Sequence, residues 1–401
     1  MKYPLMCVLV WLGASGHAQA SGAAYRVTSV GHEHPSAQIK RTTIAVQVGD
    51  DALDRFRIVR LRRHGPLLHG ANPLLLLAPF GFPAEFWEIT ESGDYHDAFA
   101  PQVALAGYDV WLVDSRLADA EAGECESGAV DCAAMAEWDQ ETAIADAMFA
   151  HRLVHAAHPA KKAVIGGLSG GSSTAMATVD RHPHVFAGLF MWEGTLYTAD
   201  PAIRARNAAF CAQDEALLDA GVFFDPAVQG FKLLFQLANA APNDPSPVPG
   251  FPPGTTNLQA LLFAFAAPNP SSPLNFTEDF IRLVGNPPAT TLAFSSIDRL
   301  LELGPLVGNY APIAFIRDTH CSLAGLDDRF TDKLDRFRGD VLVYAEGLGF
   351  GQMMVDTAGL MTRADVTIDL HPELGESDRY FHLDRESVAL EPLLAWLAHV
   401  D

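Results

Sequence analysis

Basic side chains are scarce in this 401-residue chain: 27 lysines and arginines stand against 49 aspartates and glutamates, a formal net charge of −22 at pH 7. A surface that acidic repels phosphate backbones and anionic headgroups, which argues against nucleic acid or an anionic membrane as a partner. Long apolar runs are lacking too. Beyond the first residues no segment offers the roughly eighteen clean apolar positions of a bilayer-spanning helix, so stable membrane insertion is not expected. There is no C-x-x-C pair and no histidine cluster, hence no expected metal, and no internal repeat or low-complexity tail. Cysteine is sparse at five residues.

The N-terminus explains how those cysteines read. Lys2 precedes an apolar run from Pro4 to Leu12, and Ala18-Gln19-Ala20 follows as an A-x-A cleavage site before Ser21. This pattern predicts a signal peptide over residues 1–20 and an exported, secreted or periplasmic product. Cys7 leaves with it. Cys125, Cys132, Cys211 and Cys321 remain, an even number in an oxidising compartment. Three pairings are open; the short acidic loop between Cys125 and Cys132 favours joining those two, which leaves Cys211 with Cys321. About 380 mature residues suit one large α/β domain carrying an insertion.

What the sequence does have is a centre, the stretch from Ala163 to Val179. The apolar strand Ala163-Val164-Ile165 runs into Gly167-Leu168-Ser169-Gly170-Gly171 and on into an Ala/Thr/Met-rich helix. This is G-x-S-x-G in its meaningful context, a strand turning sharply into a helix. Such a turn needs small neighbours two before and two after the serine, and Gly167 and Gly171 supply them. It would lift the Ser169 hydroxyl above the sheet edge, at the positive end of the helix. Ser169 is therefore the candidate nucleophile.

The flanking segments predict a sheet. Tyr25–Val30 and Thr43–Val48 alternate as antiparallel strands, and Arg55–Leu61 is a third. The run Pro73–Pro83, with its four consecutive leucines, and the run Gly107–Asp114 show no alternation, as in parallel strands buried on both faces. Strands are also expected at 185–192, 340–345 and 365–370. Gly81-Phe82-Pro83, followed by Phe86-Trp87, resembles the His-Gly-Phe-Pro loop of epoxide hydrolases and haloalkane dehalogenases, with Phe80 where histidine is usual. Gly107 to Arg116, ending Asp114-Ser115-Arg116, is similar to the strand of acid lipases that ends Asn-Ser-Arg. After it Met135–Asp139 opens a helix carrying Ile144, Met148, Leu153 and Val154. Together these resemble the α/β-hydrolase superfamily of capped serine hydrolases. The resemblance implies an α/β-hydrolase fold: a mostly parallel central sheet with helices on both faces and a helical cap. By carry-over the Phe82 and Gly170 N–H groups would form the oxyanion hole.

The rest of the triad is sought downstream. Glu193 ends the strand after the nucleophile helix, facing the crevice where ligands bind, and some haloalkane dehalogenases place their acid there. Most relatives carry an aspartate about five residues beyond the next strand, a position near Gly349 here; Asp356 or Glu346 would then serve, Asp356 otherwise capping a helix from Thr357. Arg379-Tyr380-Phe381-His382-Leu383-Asp384 is similar to the Gly-His-x-Asp segment of lipases, with Phe381 in place of glycine, and makes His382 the expected base. His371, at a strand end before Pro372, is its competitor.

Between residues 195 and 312 prolines punctuate short helical patterns with Phe/Leu faces at Phe231–Phe235 and Leu258–Phe265. The core would comprise residues 21–194 and 313–401, and this insertion the cap, with Asn275-Phe276-Thr277 as a glycosylation sequon. The expected activity is cofactor-independent hydrolysis of a carboxylic ester or lactone with an apolar, lipid-like portion. The alternatives are a serine-dependent carbon–carbon (diketone) hydrolase and a non-catalytic binding protein on the same scaffold.

Overall fold

A computed structural model of the chain describes residues 24–91, 93–116, 121–226, 228–266, 281–285 and 291–400. The expected signal peptide, with Cys7, and the sequon at Asn275 lie outside the described residues.

The strands form where unbroken or alternating apolar residues predicted them. They are β1 (Tyr25–Ser36), β2 (Ile39–Val48), β3 (Arg55–Arg63), β4 (Leu74–Leu77), β5 (Val110–Val113), β6 (Val164–Leu168), β7 (Gly188–Trp192), β8 (Asp340–Glu346) and β9 (Asp365–His371). Their order in one sheet is β1-β2-β3-β5-β4-β6-β7-β8-β9. β1 to β3 form an antiparallel meander that joins β5, and from β5 to β9 all pairings are parallel. The mostly parallel α/β sheet expected from the sequence is present.

The period-2 pleat sorts the buried runs onto two faces. Leu74, Leu76, Val110, Leu112, Phe190, Trp192 and Tyr344 point into one apolar core. Leu75, Leu77, Trp111, Val113, Leu189, Met191 and Val343 point into the other. The second core is covered by α2 (Gln140–Ala157) and α3 (Gly170–Arg181), and the first by α1 (Phe99–Leu105). The helix expected to open at Met135 starts later: residues 133–137 form a 3₁₀ turn, and Asp139 caps α2 by accepting the Thr142 N–H at 2.9 Å.

The long connection from β7 to β8 holds α4 (Pro201–Asp219), α5 (Val228–Ala240), α6 (Asn257–Ala266) and α7 (Ile313–Leu323). Leu234, Phe235, Ala238, Leu261 and Leu300 from this segment merge with Trp87 and Tyr380 in one apolar cluster. These residues join the segment to the apolar core on that face of the sheet. Cys211 of α4 is bonded to Cys321 of α7, and Cys125 to Cys132, the pairing favoured from the sequence. After β8 come α8 (Gly351–Ala358), the turn Asp378–Phe381 and α9 (Glu391–Leu397).

Candidate active site

Ser169 occupies the crossing from β6 to α3 with φ 54° and ψ −126°. Among the described residues only Ser169 and Glu193 are non-glycine residues with positive φ. Backbone held there costs about 1–3 kcal/mol and persists where the surroundings over-determine it. They do so here. A Cβ on Gly167 would lie 2.4 Å from the Gly171 carbonyl carbon, and one on Gly171 would lie 2.5 Å from Leu77 O. The first turn of α3 is tied to the end of β7: Trp192 N–H donates to Ser172 Oγ at 3.1 Å, which donates to Gly194 O at 3.1 Å, while Ser173 Oγ donates to Thr195 O at 3.2 Å.

The oxyanion loop follows β4. Pro79 to Phe82 make a tight turn with Gly81 at φ 84°, closed by the Phe82 N–H donating to Pro79 O at 3.0 Å. This corrects one expectation, because the Phe82 N–H is engaged within its own turn. Gly170 opens α3, where a backbone N–H has no intrahelical acceptor. The loop backbone nearest to it belongs to Phe80, whose N lies 3.1 Å from where a Gly170 Cβ would be. Asp114 holds the loop from below by accepting the Ala84 N–H at 2.7 Å and the Arg57 N–H at 2.8 Å. Burial raises the Asp114 carboxyl to about 6 although Arg57 opposes the shift. The Asp-Ser-Arg segment is thus a brace, its Arg116 pairing with Asp146 at 2.7 Å and Asp54 at 2.9 Å.

Ser169 opens onto a cavity whose walls include Phe82, Phe86, Phe231, Phe235 and Phe265. Its polar lining includes Tyr310, Glu376 and Ser377. The Tyr310 hydroxyl is spent on Glu126 Oε2 at 2.6 Å.

Glu193 stands fully buried at the end of β7, its two oxygens accepting the Glu346 N–H at 2.6 Å and the Phe350 N–H at 2.5 Å. A Cβ on Gly349 would lie 2.2 Å from Glu193 Oε2. The Glu193 carboxylate therefore occupies the space into which a side chain at 349 would project. Glu346 lies against it, also fully buried, and pairs with Arg379 at 2.6 Å. Burial, then the neighbouring Glu346, pushes the Glu193 carboxyl well up; burial raises Glu346 against the pull of Arg379.

The other expected members lie apart. Asp356 is inside α8 rather than at its N-cap, accepting the Ala199 N–H at 2.8 Å and the Gln352 amide at 2.9 Å. It anchors the start of the insertion. His382 is not among the residues lining the cavity of Ser169. It follows the turn 378–381, where its ring stacks on Phe294, its Nδ1 accepts the Asp384 N–H at 3.0 Å, and burial lowers its pKa. His371 pairs with Asp369 at 3.4 Å at the sheet edge. Among the described residues no hydrogen bond joins Ser169 to His382.

The loop that does reach the cavity is one turn earlier. Gly375-Glu376-Ser377-Asp378 keeps the glycine and aspartate of the Gly-His-x-Asp pattern at their spacing, with Glu376 in the histidine position. Asp378 fixes the loop, accepting Gly375 N–H at 2.8 Å, Arg282 N–H at 2.8 Å and the Ser295 hydroxyl at 2.7 Å. The sequence reading missed this because it searched for a histidine; the glycine–aspartate spacing was the available signal. A second unforeseen group is His320 of α7, bonded through Nδ1 to Asp214 at 2.7 Å, both buried. It borders a smaller recess that runs from Ser169 past Ser173, one turn down α3.

A mostly parallel sheet, a strained serine between β6 and α3, and a loop after β4 beside it define the α/β-hydrolase fold. No protein-family profile matches the chain, and no curated protein matches it. Among solved structures it is similar to a putative lipase from Sulfolobus solfataricus, with 15% identity and a TM-score of 0.63 over 92% of this chain and 99% of that one. It is also similar to a thermostable carboxyl esterase from Bacillus coagulans, with 11% identity and a TM-score of 0.51 over 91% and 99% of the two chains. Both have the α/β-hydrolase fold.

Proposed function

We propose that the chain is an exported serine hydrolase of the esterase or lipase type, which cleaves a carboxylic ester or lactone with an apolar portion through an acyl-enzyme on Ser169. One observation carries this reading: Ser169 is held at φ 54° and ψ −126° where it opens onto an aromatic-walled cavity. Ser169 Oγ attacks the acyl carbon. The Gly170 N–H and an N–H of the Phe80–Gly81 turn receive the oxyanion. Residues 195–312 act as the cap, and Phe231, Phe235 and Phe265 seat the apolar portion. Two disulfides and the N-terminal sequence support export. The likeness of the fold to a lipase and an esterase agrees with ester chemistry.

A second reading, a binding protein on this scaffold, is favoured by the absence of histidine from the described lining of the cavity. Turnover separates the two. Wild-type protein and Ser169→Ala are assayed on p-nitrophenyl esters of increasing acyl length and on a diketone panel. The hydrolase reading expects ester turnover that falls at least ~10³-fold in the variant. Equal rates in both proteins would refute it, and diketone cleavage alone would move the reaction to carbon–carbon bonds.

A further inference from the structure

We infer that Glu376 is the general base of this site, a carboxylate standing where the fold's serine hydrolases would carry an imidazole; the inference rests on the assignment of Ser169 as nucleophile. Glu376 and Ser169 line the same cavity. Glu376 is 3% exposed, on the loop between β9 and the turn 378–381. Its backbone sits directly over the acid corner: a Cβ on Gly349 would lie 2.9 Å from both Glu376 N and Cα, and 2.2 Å from Glu193 Oε2. The loop is pinned by Asp378, so residue 376 has a defined place against Gly349 and Glu193, on the wall of the cavity it shares with Ser169. Among the described residues Ser169 Oγ makes no hydrogen bond, which is ordinary for an unliganded site whose catalytic bonds tighten with substrate.

The rival imidazole is less well placed. His320 is held between α4 and α7, with Nδ1 on Asp214 and its ring against Phe210. It borders the smaller recess, which Ser169 also lines, rather than the aromatic cavity that receives the acyl group.

The proton accounting closes with one carboxylate. As the bond from Ser169 Oγ to the acyl carbon forms, the hydroxyl proton passes to Glu376 and the carbonyl electron pair moves to oxygen. Collapse breaks the bond to the leaving alkoxide, which takes that proton. Water then attacks the acyl-enzyme, gives its proton to Glu376, and the second collapse returns it to Ser169 Oγ as the acid departs.

The test measures kcat and kcat/KM against pH for p-nitrophenyl ester hydrolysis in wild type, Glu376→Gln and Glu376→His, with circular dichroism to verify folding. Removing a general base lowers the rate by about 10²–10⁴-fold, the loss expected for Glu376→Gln. Glu376→His restores a base over Glu193, so it stays within about tenfold of wild type while its acid limb moves toward the imidazole range near ~6.5. Wild-type turnover in folded Glu376→Gln overturns the assignment, as does loss of turnover only in His320→Asn or His382→Asn. An inert wild type with an active Glu376→His also overturns it, showing a site without its base. Turnover that survives Ser169→Ala would instead indict the nucleophile.

Discussion

Replacing Ser169 by glycine should stabilise the protein while silencing it. At φ 54° and ψ −126° a Cβ-bearing residue pays about 1–3 kcal/mol that glycine does not. Glycine loses roughly 0.5–1 kcal/mol of that through its greater freedom in the unfolded chain. The fair comparison is with Ser169→Ala, which also lacks Oγ but keeps Cβ, so the difference isolates the backbone. Ser169→Gly should exceed Ser169→Ala by about 0.5–2 kcal/mol, or roughly 1–3 °C in Tm for a chain of this size. Urea titration followed by tryptophan fluorescence, with matched slopes, would read the same difference as a midpoint shift. Both variants should be inactive. A glycine variant no more stable than the alanine one would refute strain at this position, and with it the physical reason for assigning function to this turn.

Further perturbations test the surroundings. Gly349→Ala would thrust Cβ into the Glu193 carboxylate and the Glu376 backbone, so a loss of about 1–3 kcal/mol should accompany slower ester turnover. An unchanged Tm would contradict the packing of that corner. Removing Cys211–Cys321, separated by 110 residues, should cost up to about 5 kcal/mol, against about 2 for the seven-residue Cys125–Cys132 loop; thermal melts of the paired Cys→Ala variants measure both. Burial raises Asp114 and Asp318 to about 6, so the folded protein binds more protons than the unfolded chain across pH ~4 to ~6. Their stabilising contribution is full below pH ~4 and lost as pH rises through about 6. Asp318→Asn should therefore gain stability relative to wild type on going from pH 5 to pH 8. A relative loss over that range would contradict the burial argument.

Much of the scaffold was legible because its signals are local. Unbroken runs such as Leu74–Leu77 can only be buried on both faces, and the glycines around Ser169 have no other use than a close turn. The place of Glu193 at a strand end was legible, and the carboxylate packs against Gly349. Other features depend on packing that spacing does not encode. Asp356 became a helix-interior anchor because α8 starts at Gly351, six residues before the expected start at Thr357. Phe82 kept its side chain in the cavity but lost its N–H to Pro79. Residue type alone points to His382, whereas the loop that meets the cavity is held by hydrogen bonds to Asp378 that spacing does not encode.

The account stands on an activated Ser169, and intact-mass labelling of the mature protein with a small fluorophosphonate tests it most directly. The account predicts one adduct per chain on wild type and none on Ser169→Ala. An adduct that persists in Ser169→Ala, or no adduct on folded wild type after prolonged exposure, would contradict it.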